Sequence, residues 1–212
     1  MSRGRLITIE GIDGAGKSTL AAGLCDALTD RGVDIKLLRE PGGVAAAERI
    51  REVVIDPGLH VTPRTEALLY ASARAQLVEE AIEPLLRAGT WLLLDRFIDS
   101  SLAYQGGGRE LGIDAVRAIN DFAIRTAWPD RTLLLLIDPQ QGRSRSSSRA
   151  RDPDRLEREQ EDFFVRTVAA YMELALQDPQ RIRRIDASMP PDQVLKDALA
   201  EVADLLPGAD AT

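Results

Sequence analysis

The sequence predicts an α/β fold in which helices cover both faces of a doubly wound parallel sheet of about five strands. Five short runs of aliphatic and β-branched residues are apolar throughout or nearly so, as expected for strands buried on both faces. Longer segments of helical period separate these runs, and such alternation implies right-handed crossovers between parallel strands. A chain of 212 residues is long enough for one such three-layer domain, so we expect residues 1–212 to form a single unit.

Each element follows from its local pattern. The strands are expected at Arg5–Glu10, Val33–Arg39, Trp91–Asp95, Thr132–Asp138 and Arg181–Asp186. The helices are expected at Lys17–Arg31, Ala45–Ile55, Pro63–Ala88, Ile113–Thr126, Glu157–Gln177 and Pro191–Leu205. Residues 140–159, hereafter the lid segment, are rich in arginine and serine and nearly devoid of large apolar side chains, which predicts a mobile flap or surface loop. Ligands of such sheets bind beyond the carboxyl ends of the strands.

The composition excludes several classes of protein. A net charge of −7 argues against a general nucleic-acid-binding surface, which needs a basic balance. No apolar run approaches the ~20 residues of a membrane span. The apolar stretch near the start of the chain is also too short for a signal peptide. The one cysteine, Cys25, excludes an intrachain disulfide and is typical of a reducing compartment. We therefore expect a cytoplasmic protein.

The segment GIDGAGKS follows the first strand and matches G-x-x-x-x-G-K-[ST]. Glycines let consecutive backbone N–H groups approach phosphate oxygens, Lys17 can reach the β- and γ-phosphates, and Ser18 can hold Mg²⁺. The strand before the loop and the helix after it supply the required context, so we expect a nucleoside triphosphate here. The residues that we expect to hold ATP are Gly11, Ile12, Asp13, Gly14, Ala15, Gly16, Lys17, Ser18 and Thr19.

Other motifs narrow the class of phosphate-loop protein. GTP-binding folds usually read guanine with an Asn-Lys-x-Asp segment, and the single asparagine, Asn120, lies in a different context. Mechanical ATPases are generally larger, so the length favours a small phosphotransferase. The strand WLLLD ends at Asp95, where a carboxylate can bind Mg²⁺, and Arg96 follows, where a cation can stabilise the transferred phosphoryl group. The alternative is an Asp-Arg pair in solvent.

Further strand ends suggest an acceptor pocket. Glu40 follows the second strand in LLREPGG, and Arg51 lies one helix later. Tyr70 and Arg74 are four residues apart on one helix face, so a ring and a guanidinium group could bracket a base. These residues alone leave open a tyrosine packed in the core beside an arginine in solvent. The stretch after Arg96 adds the polar residues Ser100, Ser101, Tyr104 and Gln105, followed by three glycines that predict a loop or plain turn.

The motifs IEGIDGAGKST, REPGG, DRFIDSSLAYQGGGR and DRLEREQEDFFVRTVAAYMELA together resemble bacterial thymidylate kinases over nearly the whole chain. The resemblance implies a kinase fold with an arginine-rich lid, and transfer of the γ-phosphate of MgATP to dTMP in dTTP synthesis. It also implies a homodimer.

The resemblance assigns roles to individual positions. Asp13 and Glu40 would lie near the deoxyribose 3′-OH and the transferring phosphates, and Arg51 and Arg96 would clamp the dTMP phosphate. Tyr70 would stack on thymine while Arg74 and Gln105 hydrogen-bond its edge. Tyr104 would lie against C2′ and disfavour a ribonucleotide. The residues implied to bind substrate are Asp13, Glu40, Arg51, Tyr70, Arg74, Arg96, Ser100, Ser101, Tyr104 and Gln105.

The lid segment would supply a catalytic arginine, because the phosphate loop carries no basic residue between Asp13 and Gly16. Such an arginine contributes about 10³–10⁵ in rate. Arg149 is the first candidate and Arg151 the second, with Arg145 and Arg155 also possible; a solvated basic loop is the alternative. The implied catalytic set is Lys17, Asp95, Arg96, Arg149 and Arg151. Phe97 departs from the family pattern, which commonly has Tyr or His there.

Two other functions stay open on the sequence alone. One is a kinase for a different pyrimidine monophosphate, and the other is a nucleotide-dependent regulatory switch that uses the same phosphate loop.

Overall fold

The computed structural model describes residues 3–147, 155–156 and 158–206. Within them a single sheet has the strand order β2-β3-β1-β4-β5, with every neighbouring pair parallel. The strands are β1 (Leu6–Glu10), β2 (Ile35–Arg39), β3 (Trp91–Asp95), β4 (Arg131–Leu136) and β5 (Ile182–Asp186). The predicted doubly wound α/β class is thereby confirmed.

Helices connect the strands on both faces of the sheet. They are α1 (Lys17–Thr29), α2 (Ala45–Ile55), α3 (Pro63–Leu77), α4 (Glu83–Arg87), α5 (Ile98–Ser101), α6 (Ile113–Ile124), α7 (Pro139–Ser147), α8 (Glu161–Gln177) and α9 (Pro191–Glu201). The run predicted as one helix over Pro63–Ala88 contains a π-helical turn, Val78–Ile82, between α3 and α4. None of the described helices is long and apolar enough to cross a membrane.

Two hydrophobic cores flank the sheet because alternate side chains of each strand point to opposite faces. On β1, Leu6 packs into the core beneath α3, α6 and α8, whereas Ile7 and Ile9 pack into the core beneath α1 and α9. All five residues of β1 are buried, as expected for the central strand. This strand therefore holds the loop that follows it on a rigid support.

Three sequence predictions about local structure were wrong. β2 was expected to be buried, yet it lies at the sheet edge and its side chains are half-buried or exposed. The glycines of LAYQGGG were expected in a loop or turn, but Leu102–Gly108 continues α5 as a buried π-helical segment. It packs closely on α8, where a Cβ at Gly107 would lie 2.4 Å from that of Ala170.

The third wrong prediction concerns the lid segment. Its first part forms α7 rather than a loop. Composition misled here because α7 has almost no apolar side chains to mark a buried face, and Gly142 is what allows its close contact with the phosphate loop.

Candidate active site

The loop between β1 and α1 has the backbone shape that its glycines predict. Gly11, Gly14 and Gly16 adopt φ values of 135°, 80° and 92°, which favour glycine. Gly16 is the N-cap of α1, so the first N–H groups of that helix lie at the loop. Such a helix start attracts anions through its unpaired N–H groups and its dipole. The loop is thus shaped to cradle phosphate.

Lys17 is held inside this loop. Its side chain is 7% exposed, and its Nζ donates to the carbonyl oxygen of Ile12 at 2.9 Å and lies 3.6 Å from Asp13 Oδ1. Burial, together with the nearby positive charge of Arg96, lowers the pKa of Lys17 to about 8. A bound phosphate would add negative charge beside Nζ and so favour the ammonium form. The lysine is therefore placed for an anionic ligand.

Position 14 of the loop has no room for a side chain. A Cβ on Gly14 would lie 1.9 Å from the carbonyl oxygen of Gly142 in α7. The reverse contact is also close, because a Cβ on Gly142 would lie 2.8 Å from the carbonyl oxygen of Asp13. A side chain at position 14 would therefore require α7 to move away from the loop.

The carboxyl end of β3 brings a carboxylate to the same place. Because β3 pairs with β1, Asp95 lies beside the loop, and Ser18 Oγ donates to Asp95 Oδ2 at 2.9 Å. A hydroxyl and a carboxylate are hard oxygen ligands of the kind that Mg²⁺ prefers. Across the described residues, no group of three or more His, Cys, Asp or Glu side chains could hold a metal ion.

Arg96 spans the loop and the predicted acceptor residues. Its φ of 70° is unusual for a residue with a side chain. Nη1 donates to the carbonyl oxygen of Gly11 at 2.9 Å, and Nη2 donates to Asp13 Oδ1 at 2.7 Å. The guanidinium group also lies 5.1 Å from the ring centroid of Tyr104. Both the backbone and the side chain of Arg96 are therefore fixed.

A buried carboxylate, which the sequence analysis did not predict, lies beside the turn that carries Arg96. Glu10, the last residue of β1, accepts hydrogen bonds from the Phe97 N–H, from Ser100 Oγ and from Tyr171 Oη at 2.7, 2.5 and 3.0 Å. Burial, and then the negative charge of Asp99, raise the pKa of Glu10 to about 7. This residue orders the turn that carries Arg96. Its position at the carboxyl end of the central strand was the available signal.

A cavity of about 270 Å³ opens beside the phosphate loop. It extends from Lys17 and Ser18 to the polar residues of α3 and of the π-helical segment. Every residue that the resemblance assigned to substrate binding lines it: Asp13, Glu40, Arg51, Tyr70, Arg74, Arg96, Ser100, Ser101, Tyr104 and Gln105. These residues come from five separate segments of the chain, and the fold brings them together around one cavity.

The centre of the acceptor side is a buried ion pair. Arg74 is only 2% exposed, and its Nε donates to Glu40 Oε2 at 2.8 Å. Its other N–H groups donate to Ser101 Oγ, to Asn120 Oδ1 and to the carbonyl oxygen of Phe97. Burial raises the pKa of Glu40, although Arg74 opposes that shift. The alternative of a solvent-exposed arginine is therefore wrong.

The guanidinium group of Arg74 also lies 5.4 Å from the ring centroid of Phe97, which is fully buried. Phe97, where the family commonly has Tyr or His, thus packs against the guanidinium group of the Arg74–Glu40 ion pair. Glu40 Oε1 is buried and has no hydrogen-bond partner within the described ranges. This oxygen is an acceptor that a ligand could use.

The remaining predicted residues border the same cavity. Tyr70 is half-buried, and Arg51 Nη1 donates to the carbonyl oxygen of Pro41 at 3.0 Å. Tyr104 is buried and packs edge-on against Phe163 and Tyr171. Sequence reasoning missed four lining residues: Arg39, Pro41, Ile55 and Leu156. Pro41, Ile55 and Leu156 carry no chemical signature, and Arg39, at the end of β2, pairs with Glu48.

The lid arginines are only partly described. Arg149 and Arg151, the two favoured candidates for catalysis, lie outside the described residues. Arg145 Nη1 donates to the carbonyl oxygen of Ala187 at 3.0 Å. Arg155 Nε donates to the carbonyl oxygen of Val54 at 3.0 Å, and its Nη2 lies 2.6 Å from Glu66 Oε2. Arg155 is therefore engaged in a contact with a buried carboxylate on the acceptor side.

Comparison with known proteins agrees with this geometry. The family model described as thymidylate kinase matches residues 9–198. A thymidylate kinase of Chromobacterium violaceum is 47% identical over 88% of this chain and 87% of its own length. Thymidylate kinases of Halorhodospira halophila and a Geobacillus species are each 44% identical over 97% of this chain, and over 96% and 99% of their own lengths. The chain belongs to the thymidylate kinase family.

Proposed function

We propose that the cavity holds dTMP with its phosphate beside Arg51 and Arg96, facing an ATP whose phosphates lie in the loop from Gly11 to Thr19. The chain is a nucleoside monophosphate kinase that phosphorylates dTMP at the expense of ATP. The observation that carries the proposed arrangement is the single cavity that joins Lys17 and Ser18 to all ten predicted acceptor residues. The arrangement explains how both substrates could meet.

The chain supplies charge and position, since phosphoryl transfer to an anionic phosphate needs little acid–base chemistry. Lys17 would neutralise the β- and γ-phosphates. Arg96, fixed by Gly11 and Asp13, would bridge the transferred group and the acceptor phosphate. Both cations are held in place before substrate arrives, so little reorganisation is needed as charge develops.

Ser18 and Asp95 fit a magnesium ion, because their oxygens are 2.9 Å apart at the phosphate loop. The ion would supply charge neutralisation between the phosphates of ATP. A site with so few protein ligands is typical of Mg²⁺ bound chiefly by phosphate and water.

The acceptor side would read the sugar and base. Glu40 Oε1 and Asp13 could accept from the 3′-OH, and the buried ring of Tyr104 would leave no room for a 2′-hydroxyl. Tyr70 would stack on thymine. Arg74 and Gln105 would face the edge of the base, although the N–H groups of Arg74 are already shared with protein acceptors. Arg149 or Arg151 would supply the lid cation.

We also propose a cytoplasmic homodimer. Its support, besides the resemblance, is a set of exposed apolar side chains on three helices that pack side by side. They are Val53 on α2, Leu68 on α3 and Phe122 on α6, the last 87% exposed. Analytical sedimentation of the wild type and of Phe122→Ser tests this proposal. We expect the wild type to sediment as a dimer and the variant to dissociate at higher protein concentration than the wild type.

A coupled assay of ADP release tests the reaction with dTMP, dUMP, UMP, CMP and AMP as acceptors. Turnover highest with dTMP supports the proposal. Preference for another acceptor would favour the different pyrimidine kinase, and ATP binding without turnover of any acceptor would favour the regulatory switch.

A further inference from the structure

Glu66 is a fully buried carboxylate in the first turn of α3, just outside the cavity. Three side chains from distant parts of the chain contact it. Gln105 Nε2 donates to Oε1 at 2.8 Å, and Arg109 donates to the two oxygens at 3.2 and 3.0 Å. Arg155 forms an ion pair with Oε2 at 2.6 Å. Glu66 has no role in the proposed binding of dTMP, yet it contacts Gln105, the residue proposed to hydrogen-bond the base.

The contact with Glu66 determines which way the Gln105 amide points. An ionised carboxylate can only accept hydrogen bonds, so the NH₂ group of Gln105 must face it. The amide oxygen Oε1 is then the group left over, and Gln105 lines the cavity. Among residues 3–147, 155–156 and 158–206, no partner of Gln105 Oε1 is found. Gln105 therefore offers an acceptor to whatever edge of a base lies beside it.

Two guanidinium groups satisfy the Glu66 carboxylate. Arg109 and Arg155 place two positive charges against its oxygens, and this geometry matches a carboxylate that accepts hydrogen bonds. Both are anchored: Arg109 also pairs with Glu159 at 2.6 Å and lies 4.9 Å from the ring centroid of Phe163, while Arg155 donates to the carbonyl oxygen of Val54.

We propose that Glu66 is a positioning residue that selects the acceptor base by fixing the direction of the Gln105 amide. This inference rests on the proposed placement of thymine in the cavity. The N3–H group of thymine can donate a hydrogen bond to the amide oxygen of Gln105. N3 of cytosine carries no hydrogen, so two acceptors would face each other there. A site built around a hydrogen bond rejects the base that lacks the matching group.

Glu66→Gln tests the proposal, because a glutamine at 66 can either donate or accept and lets the Gln105 amide turn over. We expect KM for dTMP to rise about tenfold with KM for ATP unchanged, and the preference for dTMP over dCMP in kcat/KM to fall about tenfold or more. The matched control is Glu80→Gln. Glu80 accepts from Gln76 Nε2 at 2.8 Å on the exposed side of the same helical run, and we expect no change in either constant.

A compensating exchange separates positioning from general damage. Gln105→Glu places two carboxylates together and should lower activity. The double variant Glu66→Gln, Gln105→Glu restores one donor and one acceptor and keeps an oxygen toward the base, so the preference for dTMP should recover. If the single Glu66 variant does not fold, the preference of the double variant for dTMP over dCMP tests the proposal by itself.

Two results would overturn the inference. One is a Glu66→Gln enzyme that keeps the wild-type ratio of kcat/KM for dTMP to that for dCMP, or in which KM for ATP rises as much as KM for dTMP. The other is a folded double variant that does not recover the preference. A wild-type enzyme without preference for dTMP over dCMP would instead count against the proposed function itself.

Discussion

The two ends of the cavity are built in different ways. At the phosphate end, charged side chains are held by the backbone of one short loop: Lys17 donates to Ile12 and Arg96 donates to Gly11. At the base end, side chains hold one another across long stretches of sequence. Arg74 pairs with Glu40, 34 residues away, and Gln105 with Glu66, 39 residues away.

The difference predicts two kinds of failure. A side chain removed from the phosphate end should take away chemistry and leave the fold intact, because the loop is supported by glycine geometry and by β1. A side chain removed from the base end leaves a buried partner without its counter-charge, which destabilises the whole domain.

The largest effect is expected for Lys17→Ala. Without the ammonium group beside the phosphates, kcat should fall about 10³-fold or more. The free energy of unfolding should change little, since the substitution removes one hydrogen bond to Ile12 and one long ion pair with Asp13, which keeps Arg96 as a partner. Steady-state kinetics and urea unfolding measure the two quantities. Lys196→Ala, an exposed position on α9, is the control and should match the wild type. Near-normal turnover of the Lys17 variant would contradict the role of the loop.

Arg74→Leu should have the opposite pattern. It leaves Glu40 buried without its ion-pair partner, and breaking such a pair typically costs about 3–5 kcal/mol of unfolding free energy. Arg64→Leu, exposed at the start of the same helix, should cost little. The measurement is urea unfolding of both variants without ligand. An Arg74 variant of wild-type stability with a raised KM for dTMP would show instead that Arg74 acts mainly on the base.

The same contrast decides what the sequence could predict. The phosphate loop, Asp95 and Arg96 were recognisable from the residues alone because backbone-supported sites need fixed residue types at fixed spacings. The strand order placed them together as expected, since β1 and β3 are neighbours. The acceptor residues needed the family resemblance, as Tyr70 and Arg74 alone allowed a different interpretation.

Glu10 and Glu66 were not predicted at all. Both are buried carboxylates whose partners come from distant segments. The one local signal was the position of Glu10 at the carboxyl end of β1, and that position does not show which side chains contact it. The π-helical form of Leu102–Gly108 was missed for a similar reason: its three glycines favour a turn locally, but close packing on α8 requires small residues inside a helix. In this segment tertiary packing overrode local propensity.

Gly14→Ala tests whether α7 closes on the phosphate loop. The added methyl group would meet the carbonyl oxygen of Gly142 at 1.9 Å, and the φ of 80° is strained for alanine. Gly32→Ala has nearly the same strain, with φ of 81°, and nothing within 4 Å of its Cβ. We expect Gly32→Ala to lower the free energy of unfolding by about 1 kcal/mol. Gly14→Ala should lower it by about 2 kcal/mol more, and urea unfolding measures both. Equal costs would mean that α7 does not rest on the loop.

The smallest effect concerns Glu10, which lies at the phosphate end but is held by side chains, as the base end is. Burial raises its pKa from 4.5 to about 7, so the folded protein binds this proton more tightly than the unfolded chain. Its contribution to stability is therefore full below pH 4.5 and is lost as the pH rises towards 7. Glu10→Gln removes this titration, and its free energy of unfolding should fall less than that of the wild type between pH 5 and 7. Urea unfolding across that range measures both slopes. Parallel curves would contradict the raised pKa, because they would show that Glu10 carries the same charge in the folded and unfolded states across this range.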